Sequence, residues 1–445
     1  MEAYLAAAKG GFALVPINYR LIGREVAYII NNSEPITLIY EEEYQGLVKI
    51  TSSDISSVKN FIPMSRYEEL ISKSPAHEPE VLISEEDIVC IMYTSGTTGL
   101  PKGAVMTHKN WLSHTVNMVL ELNISSEDVT LNVTPFFHVA TIWPMLTHLY
   151  MGGTNVILSR FEPKAVLETL ERERITTCNL VPTMIIQMLE CSDINRYDLS
   201  SIRWLGYGAS PMPVEVLRRA IAIFGKKLVQ VYGLTEACPL LTLLPAEEHI
   251  LEGPKARRLT SCGREIINVE VRVVDEGGKD VAPGRVGEII ARGDIIIKGY
   301  WRMPEETAST IRDGWLYTGD LATVDEEGYI YIVDRKKDII ISGGENISSR
   351  EVEEALYSHP AVLEAAVIGV PDKVLGEAVK AVVVLKEGVR ATEAEIIEHC
   401  KGRLAGYKRP RSVDFVESLP KSAAGKILKR ELRERYWKGY ERRVR

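Results

Sequence analysis

Tyr93-Thr-Ser-Gly-Thr-Thr-Gly-Leu-Pro-Lys-Gly103 is the stretch on which the reading of this chain turns. It gathers the hydroxyls of Thr94, Ser95, Thr97 and Thr98, the bare backbone at Gly96, Gly99 and Gly103, and the ammonium of Lys102. Donors, close backbone approach and positive charge are what a polyphosphate requires, so the stretch reads as a phosphate loop. A flexible Ser/Thr/Gly connector is the alternative. It is not the G-x-x-x-x-G-K-[ST] loop. Gly99 is followed by Leu100-Pro101, and Pro101 would disrupt the helix into which that motif opens.

Working outward, the apolar run Ile88-Val-Cys-Ile-Met-Tyr93 predicts the strand that delivers the loop, and a helix follows from about His108 to Leu122. Upstream, the pattern predicts a helix over 2–9, a strand over 12–17, a helix over 24–31 and a strand over 36–40, then a polar connector over 51–85. This alternation predicts an open, mostly parallel sheet. Met1 falls inside the first helical pattern with no N-cap residue ahead of it.

Downstream, Thr134-Pro-Phe-Phe-His-Val139 and its apolar sequel, with Trp143, Met145 and Leu146, read as the lining of an apolar pocket or as core packing around a satisfied histidine. Residues 201–211 and 227–236 each end a strand in a turn, the first of small residues and the second polar. In open α/β sheets ligands gather at the carboxyl ends of the strands, where these turns and the phosphate loop are expected to lie. From Val269 the texture changes to alternating strands with a turn at Glu276-Gly-Gly-Lys279, which predicts an antiparallel barrel or small sheet. Charge and composition shift again at Asp334–Asp338, as at a domain boundary, and a compact α+β unit follows.

The totals bound the function. At 445 residues and 45% apolar composition the chain has material for about three domain-sized units with real cores. A net charge of -8 argues against nucleic-acid binding as the main activity. The last 45 residues nonetheless hold fifteen Lys/Arg against five Asp/Glu, either a solvated face or a surface for a polyanionic ligand. Six cysteines are scattered without C-x-x-C or metal-ligand spacing to the eight histidines, and read as free thiols in a reducing cytosol. No apolar run reaches the length of a membrane span.

Six stretches in order, Tyr93–Gly103, Pro135–Val139, Tyr232–Glu236, Tyr317–Asp320, Asp334–Ile347 and Pro420–Lys426, resemble the adenylate-forming superfamily of acyl-CoA synthetases, luciferases and peptide-synthetase adenylation domains. The match runs from about residue 1 to residue 436. The resemblance implies an α/β fold: a large N-terminal AMP-binding domain over 1–336, with a β-barrel-like subdomain over 264–334, and a smaller mobile α+β C-terminal domain over 337–445. It implies a ligase that activates a carboxylic acid with ATP and Mg2+ and passes the acyl group to CoA. No nucleic-acid partner is implied, a homo-oligomer is compatible, and the location implied is cytoplasmic.

Residue by residue, the resemblance gives Thr94, Ser95, Gly96, Thr97, Thr98, Gly99 and Lys102 to the β- and γ-phosphates, Gly208, Ala209, Ser210 and Tyr232 to adenine, and Gly233 to ATP or AMP binding. Thr235 would touch the α-phosphate, Glu236 the Mg2+, and Asp320 with Arg335 the ribose. Lys426 would bridge carboxylate and α-phosphate, His138 would sit at the acyl pocket, Lys337 would be the hinge, and Gly343 and Gly344 would lie in the CoA region. Phe136, Phe137 and His138 stand where an amino-acid-activating relative would place an aspartate, so a free acid and a free CoA thiol are favoured. The apolar run Val139–Leu149 suggests a medium- or long-chain fatty acid, with an aromatic acid of coumarate or benzoate type as alternative. Proteins of this family carry a substantial segment ahead of the region that Met1–Tyr40 resembles. A shortened, weakly active or non-catalytic nucleotide-binding relative, with exposed sheet edges, is therefore a further expectation.

Overall fold

The computed structural model describes residues 1–52, 57–94, 101–422 and 425–438, and its architecture is mixed α/β. Strand Ile88–Thr94 pairs antiparallel with Lys102–Thr107, in register from Ile88↔Thr107 to Thr94↔Lys102. Gly299–Tyr300 adds a third antiparallel strand to Lys102–Thr107. Val89–Met92 and Ala104–Met106 are buried, so both strands read as continuous apolar runs. The strand that leads into the phosphate-loop stretch thus belongs to this three-stranded sheet and not to the large parallel sheet, which corrects its expected setting. The helix begins only after Thr107, whose side chain caps it by accepting from Asn110 N.

The large sheet has seven strands, in the order Arg264–Glu265, Leu240–Leu244, Leu228–Gly233, Trp204–Gly208, Thr177–Leu180, Val129–Asn132, Thr154–Ile157. From Leu228–Gly233 to Thr154–Ile157 all pairings are parallel; the other two strands join antiparallel. Leu131, Cys178, Leu180 and Leu205 on one face pack against Val166, Leu170, Ile185 and Leu217 of the crossover helices. Helix Pro163–Arg172 illustrates why these segments coil. Glu162 caps it by accepting from Lys164 N and Ala165 N, Pro163 opens it, and Val166, Leu167 and Leu170 form one fully buried stripe. Each such side chain contributes about 1.5–3 kcal/mol by leaving water.

The N-terminal strand expected over 12–17 shrinks to one parallel bridge, Leu14↔Cys90. Strand Thr37–Tyr40 pairs with Asn60–Pro63, inside the stretch read as a polar connector, and the two form a separate parallel sheet. Four-residue strands with half-exposed side chains carry little hydrophobic signal, which is why the partner went unread.

Glu270–Val274, Gly287–Arg292, Trp315–Val324, Ile311–Arg312 and Ile330–Arg335 form the antiparallel region, as a five-stranded branched sheet whose ladder does not close on itself among the described residues. The last hundred residues have cores of their own. The long hairpin Val362–Asp372/Gly376–Leu385 packs Val367, Val379 and Ala381 against Val352, Leu356 and Ile396, and its other face, with Ala366 and Val382, against Leu432 of helix Lys429–Trp437. All six cysteines are unpaired. No helix of the described residues is long and apolar enough to cross a membrane.

Candidate active site

Three strand ends come together at one place. Trp204–Gly208 ends in Gly208, where an added Cβ would lie 2.2 Å from the carbonyl oxygen of Val231, so only glycine lets the two strands close at this point. The neighbouring strand delivers Tyr232, buried, whose hydroxyl donates to Asp320 Oδ2 at 2.8 Å. Asp320 faces Arg335 across its own ladder, and the two form an ion pair at 3.2 Å. Gly233 is equally constrained, since a Cβ there would meet Pro239 O at 1.9 Å. Ala209, exposed, takes a left-handed φ of 64°, and half-buried Ser210 follows it.

Lys426 reaches the same place from the small C-terminal unit. Burial, then the positive charge of Arg335, pushes its pKa down from 10.5 to about 7, with Lys337 adding to the depression and Asp320 and Asp338 opposing it. Its loop docks tightly, because a Cβ at Gly425 would lie 2.8 Å from Thr183 Oγ1 on the large sheet's helix Pro182–Leu189. Glu354 makes a second tie by accepting from Val214 N at 2.8 Å. The charge of Lys426 is felt at His138, which burial chiefly holds neutral with a pKa pushed down to about 4. His138 is the N-cap of helix Val139–Met151, its Nδ1 accepting from Ala140 N at 3.1 Å, so the neutral ring carries its proton on Nε2.

A second group lies at the hairpin. Tyr300 OH donates to Glu236 Oε1 at 2.7 Å, and its ring stands 5.3 Å from Lys102 Nζ. Thr94 Oγ1 donates to Lys102 O at 3.4 Å. Thr235 heads the short turn that carries Glu236. Ser95, Gly96, Thr97, Thr98 and Gly99 lie outside the described residues. Among the described residues no three His, Cys, Asp or Glu side chains cluster as a metal cage. A single carboxylate oriented by Tyr300, beside a polyphosphate, suits Mg2+, which shares its coordination with phosphate oxygens and water.

Lys337 is exposed at the boundary between the two units, where its carbonyl accepts from Arg433 Nη1 at 2.9 Å. Arg433 also pairs with Asp338, and Lys429 pairs with Glu353 at 2.7 Å and donates to Ser349 Oγ at 2.6 Å. Gly343 and Gly344 form the tip of the hairpin Ile340–Ser342/Glu345–Ile347, both with positive φ, and no hydrogen bond of the described residues joins that tip to Lys426. Of the residues read as pocket lining, Met145 is fully buried in the core, while Trp143 stacks on Trp204 at 6.1 Å and, with Leu146, lines a small gap beside Val139. Tyr300 was missed. Only the pairing of its strand with Lys102–Thr107 brings it to Glu236, and no sequence spacing signals that.

A sheet-rich large part and a small α+β part that brings Lys426 up to it are the arrangement expected of the AMP-forming acid–thiol ligases, the class to which the family matches assign the chain. The chain belongs to the AMP-binding enzyme family, whose model matches residues 1–301, with that of the AMP-binding enzyme C-terminal domain matching residues 351–426. It is 39% identical over 437 residues to a feruloyl-CoA synthase of an Amycolatopsis species, covering 98% of this chain and 86% of that one. It is 39% identical over 406 residues to a long-chain-fatty-acid–CoA ligase of Bacillus subtilis, covering 90% of this chain and 70% of that one. The ATP-bound crystal structure of MatB from Rhodopseudomonas palustris superposes with a TM-score of 0.89 at 30% identity, over 98% of this chain and 86% of that one.

Proposed function

We propose that this enzyme activates a carboxylic acid in two half-reactions. A carboxylate oxygen attacks the α-phosphorus of ATP and expels pyrophosphate, giving acyl-AMP. The thiol of CoA then attacks the acyl carbon and expels AMP. The observation that carries the reading is Lys426, a half-buried lysine within electrostatic reach of Arg335, Asp320 and His138, with its pKa pushed down to about 7. A lysine is not held in such a place for solubility; it suits a site where two anions must meet.

In this reading Lys426 bridges the carboxylate and the α-phosphate, Asp320 and Arg335 hold the ribose, and Gly208–Ser210 with Tyr232 and Gly233 enclose adenine. Thr94–Gly99 and Lys102 hold the outer phosphates, and Thr235 the α-phosphate. Glu236, oriented by Tyr300, holds Mg2+, which supplies charge neutralisation of the triphosphate. No general base is needed, because a carboxylic acid is already ionised at neutral pH. The large domain runs over 1–336, with its antiparallel subdomain over 264–334, and the small one over 337–445, pivoting at Lys337. The pivot brings Gly343 and Gly344 to the CoA side, and the basic C-terminal stretch faces CoA phosphates. Unpaired cysteines support a cytoplasmic location.

For the acid, a medium- or long-chain fatty acid accords with the B. subtilis relative and with the apolar sequence after His138. A compact aromatic acid accords with the feruloyl-CoA synthase and with a specific observation: the gap beside Val139 is walled by Trp111, His114 and Trp143. Acid-dependent exchange of pyrophosphate into ATP tests adenylation, and CoA-dependent release of AMP tests transfer. A chain that binds ATP but supports no exchange with fatty or aromatic acids would refute the reading.

A further inference from the structure

Helix Gly23–Ser33 meets the hairpin at the end where Thr94 and Lys102 stand, and it does so through polar atoms. Asn32 uses both of its oxygens. Its side-chain Oδ1 accepts from Tyr93 OH at 2.5 Å, and its backbone carbonyl accepts from Trp301 Nε1 at 2.9 Å. That carbonyl is among the last four of the helix, which have no partner within it, so the indole satisfies a group that would otherwise need water. Tyr28, one turn earlier on the same face, donates from its hydroxyl to Pro101 O at 3.3 Å.

Each residue held in this way stands next in sequence to a group given above to ATP or Mg2+. Tyr93 precedes Thr94, Pro101 precedes Lys102, and Trp301 follows Tyr300, the donor to Glu236. Tyr93 also spans the hairpin: a Cβ on Gly103, its partner in the ladder, would lie 3.1 Å from Tyr93 Cζ. Trp301 N ties in the third strand by donating to Gly103 O at 2.7 Å. Fixing the Tyr93 hydroxyl therefore fixes a ring that rests on both strands. These ties are not a by-product of a shared core. Val26 and Ile30 of the helix pack with Val58, whereas Val89, Cys90, Met92, Ala104 and Met106 of the hairpin belong to a different cluster. Directional bonds of this kind, one step behind the groups that meet a ligand, set where those groups stand.

We propose that Asn32 is a positioning residue for the outer phosphates of ATP, and that through Tyr93 and Trp301 it sets where Thr94, Lys102 and the Tyr300–Glu236 pair stand before the nucleotide arrives. The inference rests on the assignment of Thr94 and Lys102 to the β- and γ-phosphates above. Its signature is selective, because AMP lacks those phosphates and engages only the adenine, ribose and α-phosphate groups.

The experiment is calorimetric binding of ATP with Mg2+, and of AMP, to the full chain as wild type, Asn32→Ala, Tyr93→Phe and the double variant. The wild type is expected to bind ATP at least about tenfold more tightly than AMP, through charge-assisted contacts to the added phosphates. Each single variant should weaken ATP binding about tenfold, the scale of one positioned hydrogen bond, and leave AMP binding within about twofold. The double variant should be no worse than either single one, because both remove the same bond. Tyr93→Phe keeps the ring over Gly103, so the idea remains testable where Asn32→Ala folds poorly. Equal weakening of ATP and AMP, or no change in either, overturns the positioning role while sparing the nucleotide site. Additive losses in the double variant overturn it too, since the two residues would then act apart. A wild type that binds AMP as tightly as ATP overturns the assignment of the hairpin to the phosphates and this inference with it. Binding of neither nucleotide overturns the proposed function itself.

Discussion

Lys426 offers the sharpest prediction, because its charge is both required by the proposed chemistry and disfavoured by its surroundings. Its pKa, pushed from 10.5 to about 7, corresponds to roughly 5 kcal/mol against the ammonium in the free enzyme, at about 1.36 kcal/mol per pH unit. Burial is the first cause and Arg335 the second, and neither is relieved until a polyanion arrives. In free enzyme at pH 8 about a tenth of the molecules carry the charge. kcat/KM for ATP reports the free enzyme, so it should be level below pH 7 and fall about tenfold per pH unit above it. Bound ATP restores the attraction, so kcat at saturating ATP should hold to higher pH. His138, with its pKa near 4, does not titrate in this window.

The assay is acid-dependent pyrophosphate release between pH 6 and 9, for wild type and Lys426→Arg. A guanidinium stays charged throughout, so the arginine variant should be slower at every pH, its geometry being wrong, but without the fall above pH 7. ATP binding at pH 8 should also take up close to one proton, measurable by calorimetry in buffers of different ionisation heat. A flat wild-type profile, or the same fall in Lys426→Arg, refutes the reasoning, since the titrating group would then lie elsewhere.

Lys426→Ala should slow adenylation on the order of a hundred- to a thousand-fold, as for other preorganised contacts in shielded sites, while thioester formation from preformed acyl-AMP survives. Equal losses in both steps count against it. Lys426→Met should raise the melting temperature near pH 6.5 and do little near pH 10. A buried lysine's depressed pKa costs stability fully below about pH 7, and that cost fades as pH rises toward 10.5. About 5 kcal/mol is the upper bound; an unchanged melting temperature at both pH values would show that the ammonium reaches water without ATP. Lys337→Pro should spare adenylation and depress thioester formation in single-turnover assays, because proline fixes the backbone dihedral a hinge must change. Tyr300→Phe frees Glu236 of its 2.7 Å donor and should raise the Mg2+ concentration needed for half-maximal rate severalfold, with thermal stability little changed.

What the sequence disclosed and what it hid divide along a physical line. Residues inside the matched motifs were legible through the resemblance, each being a weak signal alone, and the structure brings Tyr232, Asp320, Arg335 and Lys426 within reach of one another. Residues whose role depends on a distant partner were not. Tyr300 meets Glu236 only because Gly299–Tyr300 zips onto Lys102–Thr107, and that strand went unread because its six residues, interrupted by Gly103, run straight into a helix. The apolar run after His138 misled for the same reason. Apolarity cannot say whether Trp143 and Met145 face a ligand or a core, and here two cores claim them. His114 is the converse case. On an amphipathic helix a single histidine reads as surface or satisfied core, and only the folded structure shows that its Nε2 is buried with no partner among the described residues. Unpaired polarity is a property of the folded neighbourhood and has no signature in residue order.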